Sequence, residues 1–303
     1  MTQALVVGRE RKGRPAAETV ETVRARLAEA GWNVEAAVVK RKKRLTKRAK
    51  QAVQGGAHVV VVVGGDGAVL RVVQSLATTD AALGIIPTGT GNLVATNLGV
   101  PHDLHDAIAC LIAESRRTID LGRADLGGKD NWWFAIACGI GLDAEVMGAT
   151  KRPQKLRWGR LAYLASLVRK SGRVREARHT IEVDGRRATV RALQVLVANF
   201  GRTGLGISPK LPVVPDDGAL DVIVMRGHGR VRGLLAAWEA VRQGHPGGSR
   251  GGRAFRTRAR AVRVATSPVR PVEVDGTVIG KTPVSIEVKP AALTVIAPAG
   301  TPG

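Results

Sequence analysis

Val59 to Val63, an unbroken run of valines, passes directly into Gly64-Gly65-Asp66-Gly67-Ala68. A short β-branched run that stops at glycine reads as a strand buried on both faces. The glycines allow positive φ and leave room for a phosphate to approach main-chain amides. A helix that begins there adds free N–H donors and a partial positive charge. Asp66 then falls at the carboxyl end of a parallel strand, where open α/β sheets bind ligands. Taken alone, the same residues also fit a plain strand–turn–helix corner with an aspartate cap.

A second segment narrows the choice. Leu83 to Ile86 reads as another strand, and it runs into Pro87-Thr88-Gly89-Thr90-Gly91-Asn92. Thr88 and Thr90 offer hydroxyls to phosphate oxygens, and Asn92 either fixes the loop or donates to a ligand. The two loops end neighbouring strands and can converge on one nucleotide. The expected nucleotide set is Gly64, Gly65, Asp66, Gly67, Ala68, Thr88, Gly89, Thr90 and Asn92. Neither loop carries G-x-x-x-x-G-K-[ST], so this is not a P-loop.

Around these loops the pattern alternates. Strands are expected at Ala4 to Val7 and Val34 to Val39, and helices at Ala17 to Ala30, Arg44 to Gln54 and Ala68 to Leu76. Pro101-His102-Asp103 reads as a further helix start. Strands alternating with helices imply a parallel sheet with helices on both faces. From Asp120 to about Pro298 the texture changes to short strands with turn signals. They are Trp133 to Cys138, His179 to Val183, Ala188 to Val197, Leu220 to Met225, Ala261 to Ala265 and Val284 to Val288. Helical patterns at Arg160 to Lys170 and Val231 to Arg242 interrupt them, and Gly244 to Gly252 reads as a loop.

The expected architecture is therefore α/β plus mostly β. A Rossmann-like N-terminal domain over 1–120 is followed by an antiparallel, sandwich-like β domain over 121–292. The last strand, near 293–298, returns to the first domain.

Charge limits the partners. The 303 residues hold 47 Lys and Arg against 25 Asp and Glu, a formal net charge of +22, a field that attracts polyanions or an anionic membrane face. The densest run, Lys40-Arg41-Lys42-Lys43-Arg44, reads equally as a solvated helix face or as a membrane contact. Aromatics make up only 3% of the chain, so no stacking platform supports specific nucleic-acid binding. Cys110 and Cys138, the two cysteines, form no metal-type pair and read as core residues of a reducing compartment. The longest apolar run is far short of the roughly 20 residues that span a bilayer. The expectation is a cytoplasmic protein, peripheral to the membrane, with a homodimer left open.

The pair GGDGA and PTGTGN, so spaced, resembles the catalytic domain of diacylglycerol kinases, sphingosine kinases and bacterial lipid kinases. The first motif is shared with NAD kinases. The resemblance continues through Asp120-Leu121-Gly122, Gly141-Leu142-Asp143-Ala144, Gly159-Arg160-Leu161-Ala162-Tyr163, Asp217-Gly218-Ala219-Leu220-Asp221-Val222, Val274-Asp275-Gly276 and Ala292 to Pro298.

The resemblance implies an ATP-dependent kinase, with Mg²⁺, that phosphorylates a lipid hydroxyl of the diacylglycerol or sphingoid-base type. By similarity Asp66 helps organise the Mg²⁺-bound nucleotide, Asp120 stands near the cleft and Asp143 contacts the lipid headgroup. Asp217, with the carbonyls of Val214 and Ala219, matches a Mg²⁺ site of bacterial lipid kinases.

Four departures stand out. Ala68 replaces the family's threonine, and Arg71 stands where an acid is frequent. Gly8-Arg9-Glu10-Arg11-Lys12-Gly13 replaces an Asn-Pro and Ser-Gly pattern. Thr277 occupies the place of the carboxylate base, and a hydroxyl cannot take a proton from an alcohol at neutral pH. The base then falls to Asp66, Asp120 or Asp275. An NAD-kinase-like enzyme, or a member that binds nucleotide or polyanion without efficient catalysis, is the alternative.

Overall fold

The computed structural model describes residues 1–10, 16–128, 131–141, 176–201, 213–226 and 254–299. It divides into two units, Met1–Leu121 with Pro290–Gly303, and Gly122–Lys289.

The first unit is built from β1 (Gln3–Arg9), α1 (Ala16–Glu29), β2 (Asn33–Val39), α2 (Lys42–Gln54), β3 (Val59–Gly64), α3 (Asp66–Leu76), β4 (Ala82–Pro87), α4 (Leu93–Leu98) and α5 (Leu104–Ile112). Its strands run in the order β2-β1-β3-β4, all parallel. The end of the last strand of the chain returns beside β4, pairing Val295 with Leu83 in parallel. Val59, Val61 and Val63 share one core with Val20, Val23 and Leu27 of α1 and with Ile108 and Leu111 of α5. Val60 and Val62 point the other way and are equally buried. A strand covered on both faces needs continuous apolar side chains, and the valine run supplies them. Asp103 caps α5 by accepting the His105 and Asp106 N–H groups, which hold its carboxyl below the usual range.

The second unit takes up the chain within β5 (Arg116–Asp125). Then come β6 (Asn131–Phe134), β7 (Ala137–Gly141), β8 (Ala177–Val183), β9 (Arg186–Ala192), β10 (Gln194–Ala198), β11 (Leu220–Met225), β12 (Ala254–Ala259), β13 (Ala261–Ser267), β14 (Pro271–Val274), β15 (Thr277–Lys281) and β16 (Val284–Ile296). An antiparallel sheet runs β12-β11-β10-β7-β14-β15. A second antiparallel set joins β9, β8, β13 and the first half of β16. Val195, Val197, Val222 and Val272 of the first share one core with Ile181, Val262, Val264 and Ile286 of the second. Period-two alternation produces this: β13 buries Val262 and Val264 and exposes Ala261, Arg263 and Ala265. The unit is a β-sandwich.

The expected strand Trp133 to Cys138 is two strands, β6 and β7, broken at Ala135-Ile136. Ala188 to Val197 likewise divides at Leu193, whose N–H bonds to the Met225 carbonyl. β5, β12, β14 and β15 had no counterpart in the sequence reading. Both expected helices of this half, the Gly244 to Gly252 loop and Asp143 lie outside the described residues.

Candidate functional site

Gly64 and Pro87, the last residues of β3 and β4, face each other in register. The Thr88 N–H donates to the Gly64 carbonyl at 3.1 Å, so the two loops leave the sheet side by side. They then cross in contact. A Cβ on Gly65 would lie 2.8 Å from the Gly89 Cα, and a Cβ on Gly89 would lie 2.5 Å from the Gly65 Cα. Neither distance is tolerated by real side chains, so bare main chain is required at both positions.

This corrects one expectation. None of Gly64, Gly65, Gly67, Gly89 or Gly91 has positive φ. Close approach of two backbones, rather than left-handed conformation, is what demands glycine here.

Side chains lock the crossing. Asn92 is buried and sits at φ 47°, ψ 41°. Its Oδ1 accepts the Gly89 N–H at 2.9 Å while its Nδ2 donates to the Gly89 carbonyl at 3.1 Å. Of the two roles read for Asn92, the structure gives it the fixing of the loop. Asp66 opens α3, and its Oδ1 accepts the Val94 N–H at 3.0 Å, tying the first loop to α4. Its Oδ2 accepts no hydrogen bond from any described residue and lies beside Gly91, 3.0 Å from where a Cβ there would stand. Ala68 is buried, its methyl 2.7 Å from the place of a Cβ on Gly64, so it packs the corner. Thr88 and Thr90 lie on the exposed rim. The whole expected nucleotide set therefore gathers at one end of the sheet of the first unit.

The remaining candidate aspartates have other surroundings. Asp120, on β5, is 3% exposed, and its Oδ1 accepts the N–H of Ala291 at 2.9 Å. Ala291 is at φ 48°, so Asp120 fixes a left-handed step in β16.

Asp275 belongs to the second unit. It forms, with Gly276, the two-residue turn between β14 and β15, both at positive φ. Its carboxylate accepts the N–H groups of Ala135, Ile136 and Ala137 at 2.8, 2.9 and 2.9 Å. These amides lie at the break between β6 and β7, which explains why one expected strand became two. Three of the four lone-pair directions of a carboxylate are thereby taken. Thr277 opens β15, opposite Val274. Within the same turn the Gly276 N–H donates to Glu273, a buried carboxylate. Burial first, then the Glu273 and Asp275 carboxylates, push the Cys138 thiol well above its ordinary value. Burial likewise raises Cys110. Neither cysteine is an activated nucleophile.

Asp217 also lies in the second unit. Its Oδ1 accepts the Ala219 N–H at 3.1 Å, and its Oδ2 pairs with the Arg258 guanidinium. Val214 is 42% exposed. One oxygen of the Asp217 carboxylate thus faces an amide and the other an exposed guanidinium. Among the described residues no cluster of three or more His, Cys, Asp or Glu side chains could hold a metal ion.

One neighbour of the loops escaped the sequence reading. The Lys42 ammonium stands 3.7 Å from the place a Cβ on Gly67 would take. The signal was helical spacing, because Lys42 lies one turn before Thr46, whose hydroxyl bonds to α3.

Comparison with known proteins identifies the family. Residues 3–124 match the diacylglycerol kinase catalytic domain, and residues 137–297 match the YegS C-terminal NAD kinase beta sandwich-like domain. The chain belongs to the diacylglycerol kinase catalytic-domain family. It is 33% identical over 255 residues to a diacylglycerol kinase of Mycobacterium tuberculosis, covering 82% of this chain and 79% of that one. It is 28% identical over 261 residues to the "Probable lipid kinase YegS-like" of Stenotrophomonas maltophilia, covering 83% and 82%. A crystal structure of a diacylglycerol kinase from Bacillus anthracis superposes with a TM-score of 0.74 at 22% identity, over 99% of this chain and 98% of that one. That likeness concerns the fold.

Proposed function

We propose that the chain is a kinase that transfers the γ-phosphate of ATP to a hydroxyl group of a membrane lipid, of the diacylglycerol or sphingoid-base type. The observation that carries this reading is the interlock of the two loops at Gly65 and Gly89. It sets the N–H donors at the start of α3, with the open Asp66 Oδ2 and the rim hydroxyl of Thr90, at the carboxyl ends of parallel strands. Membership of the diacylglycerol kinase family supports the choice of a lipid acceptor.

Phosphoryl transfer asks a protein mainly to position the groups and to neutralise charge. The N–H groups of Asp66 and Gly67, first in α3, have no carbonyl one turn earlier in the helix and are available to phosphate oxygens. Thr90 adds a hydroxyl on the rim. Asn92 and the Asp66–Val94 bond keep both loops in the binding geometry before any ligand arrives. Mg²⁺, when bound with the nucleotide, supplies neutralisation of phosphate charge, and the Asp66 carboxylate is the group that would hold it.

In the reaction the acceptor oxygen forms a bond to the γ-phosphorus as the bond to the departing diphosphate oxygen breaks. The acceptor's proton goes to a base. With the open Asp66 oxygen given to the cation and three amides on the Asp275 carboxylate, that base is water or an oxygen of the transferred phosphoryl group. A loose transition state needs little from that base, which accommodates threonine at 277. Asp120 and Asp275 enter the proposal as positioning residues.

Lys40, Arg41, Lys43 and Arg44 are exposed and offer an anionic membrane an electrostatic contact of roughly 1 kcal/mol per cation. No helix among the described residues is long and apolar enough to cross a bilayer. The reading is a peripheral enzyme working on its substrate from one face.

The test is transfer of label from γ-labelled ATP across a panel of dispersed lipids, with NAD as control acceptor and Asp66→Ala as blank. The expected result is Mg²⁺-dependent labelling of one lipid class, lower by on the order of a hundredfold in the variant. Labelling of NAD without lipid replaces the reading with the NAD-kinase-like one. Equal background for wild type and variant on every acceptor ends it.

A further inference from the structure

The basic run at the start of α2 is an electrostatic oddity. Lys42, Lys43 and Arg44 form its first turn, no acidic residue accompanies them, and the N-cap Arg41 makes no side-chain capping bond. Cations at a helix N-terminus meet the positive end of the macrodipole and are disfavoured there. Such a breach of a local rule is a mark of functional positions.

The packing of α2 fixes where one of these cations goes. Thr46 Oγ1 donates to the Arg71 carbonyl at 3.0 Å, and Ser75 Oγ donates to the Thr46 carbonyl at 2.9 Å. Both bonds join α2 to α3. One turn earlier on each helix are Lys42 and Gly67, and there the Lys42 Nζ lies 3.7 Å from the empty Cβ position of Gly67. Two parallel helices in this register carry Lys42 to the glycine turn as a consequence of their seam. Gly67 presents no side chain between the ammonium and the main chain of that turn. Lys50, on the same helix, is eight residues away, about 12 Å along the axis.

We propose that Lys42 is a phosphate ligand of the nucleotide site and determines preference for a triphosphate over a nucleotide with fewer phosphates. This rests on the nucleotide reading above. A multiply charged phosphate chain against the loops meets the ammonium directly and relieves the crowding of positive charge at the start of α2. Lys42, exposed like its neighbours in the basic run, differs from them in standing beside the glycine turn.

The experiment is equilibrium binding of a fluorescent ATP and the corresponding AMP, without lipid, to the full chain and to Lys42→Ala, Lys42→Arg and Lys50→Ala, all with matched circular dichroism. Lys42→Ala is expected to weaken ATP by about tenfold or more, the scale of a charge-assisted hydrogen bond, and AMP by less than about twofold. Lys42→Arg is expected to recover most of the loss, and Lys50→Ala, which removes the same charge, to match wild type. If wild type binds no ATP, the nucleotide reading itself fails. If wild type binds ATP and Lys42→Ala binds it equally, or loses AMP by the same factor, the assignment of Lys42 alone is overturned.

Discussion

At the ends of β3 and β4, two loops touch through bare main chain, and the carboxylate between them keeps an oxygen open. At the turn between β14 and β15, a carboxylate is enclosed by three amides and holds a sandwich strand at its break. Both regions pair aspartate with glycine, and both match motifs of the same family. The first arrangement leaves polar groups for a ligand; the second consumes them within the protein. An aspartate's type and spacing therefore do not decide its work. What decides it is how many donors the rest of the fold aims at it.

The largest effect is expected from forcing the first pair of loops apart. Gly89→Val places side-chain atoms where the Gly65 Cα and Asn92 Oδ1 already stand. A displacement of about 1 Å at a phosphate loop costs on the order of a hundredfold in rate. The expected outcome is loss of labelled transfer on that scale, with the circular dichroism spectrum retained. Wild-type transfer by this variant would break the contrast, since the crossing would then be incidental.

Next comes the enclosed carboxylate. Asp275→Ala leaves three main-chain N–H groups without their acceptor, and a loss of about 2 kcal/mol in unfolding free energy is expected from urea titration. Transfer per folded molecule is expected to stay within a few-fold of wild type. Undiminished stability with abolished transfer would make Asp275 catalytic and erase the distinction between the regions.

A smaller effect sharpens the first region. Asn92→Ala removes the bracket on Gly89 and is expected to cost about 1 kcal/mol, read as roughly fivefold weaker ATP binding. The smallest concerns His179 on β8. It is fully buried, its Nε2 lies 3.2 Å from the Ala192 carbonyl, and its Nδ1 has no hydrogen-bond partner among the described residues. Burial, the leading cause, lowers its pKa from the ordinary 6.5, so the unfolded chain takes up the proton at higher pH than the folded one. Its contribution is therefore fully present above about pH 6.5 and lost as pH falls below that. Urea stability is expected to fall less between pH 7.5 and 5.5 in His179→Gln than in wild type. Parallel pH profiles would contradict this.

The same contrast explains what the sequence made legible. The parallel half could be read almost element by element, because the valine run and the two glycine loops are local signals of burial and close approach. Asp103 was similarly legible as a helix start. The sandwich half was harder. No pattern in residues 133–138 announces a break, since its cause is Asp275, some 140 residues later in the chain. The pairing of Asp217 with Arg258 was not legible, because the two stand 41 residues apart in the chain. Lys42 sat in a charge run whose obvious use was a membrane contact, and only the seam between α2 and α3 separates it from its neighbours.

The most direct test of the central claim is a crystal of the chain soaked with Mg²⁺ and a non-hydrolysable ATP analogue. The expected density is a phosphate chain against the main-chain amides of the turns that follow β3 and β4, with an oxygen or a bound cation at Asp66. Nucleotide seated elsewhere, with both turns empty at saturating analogue, would contradict it.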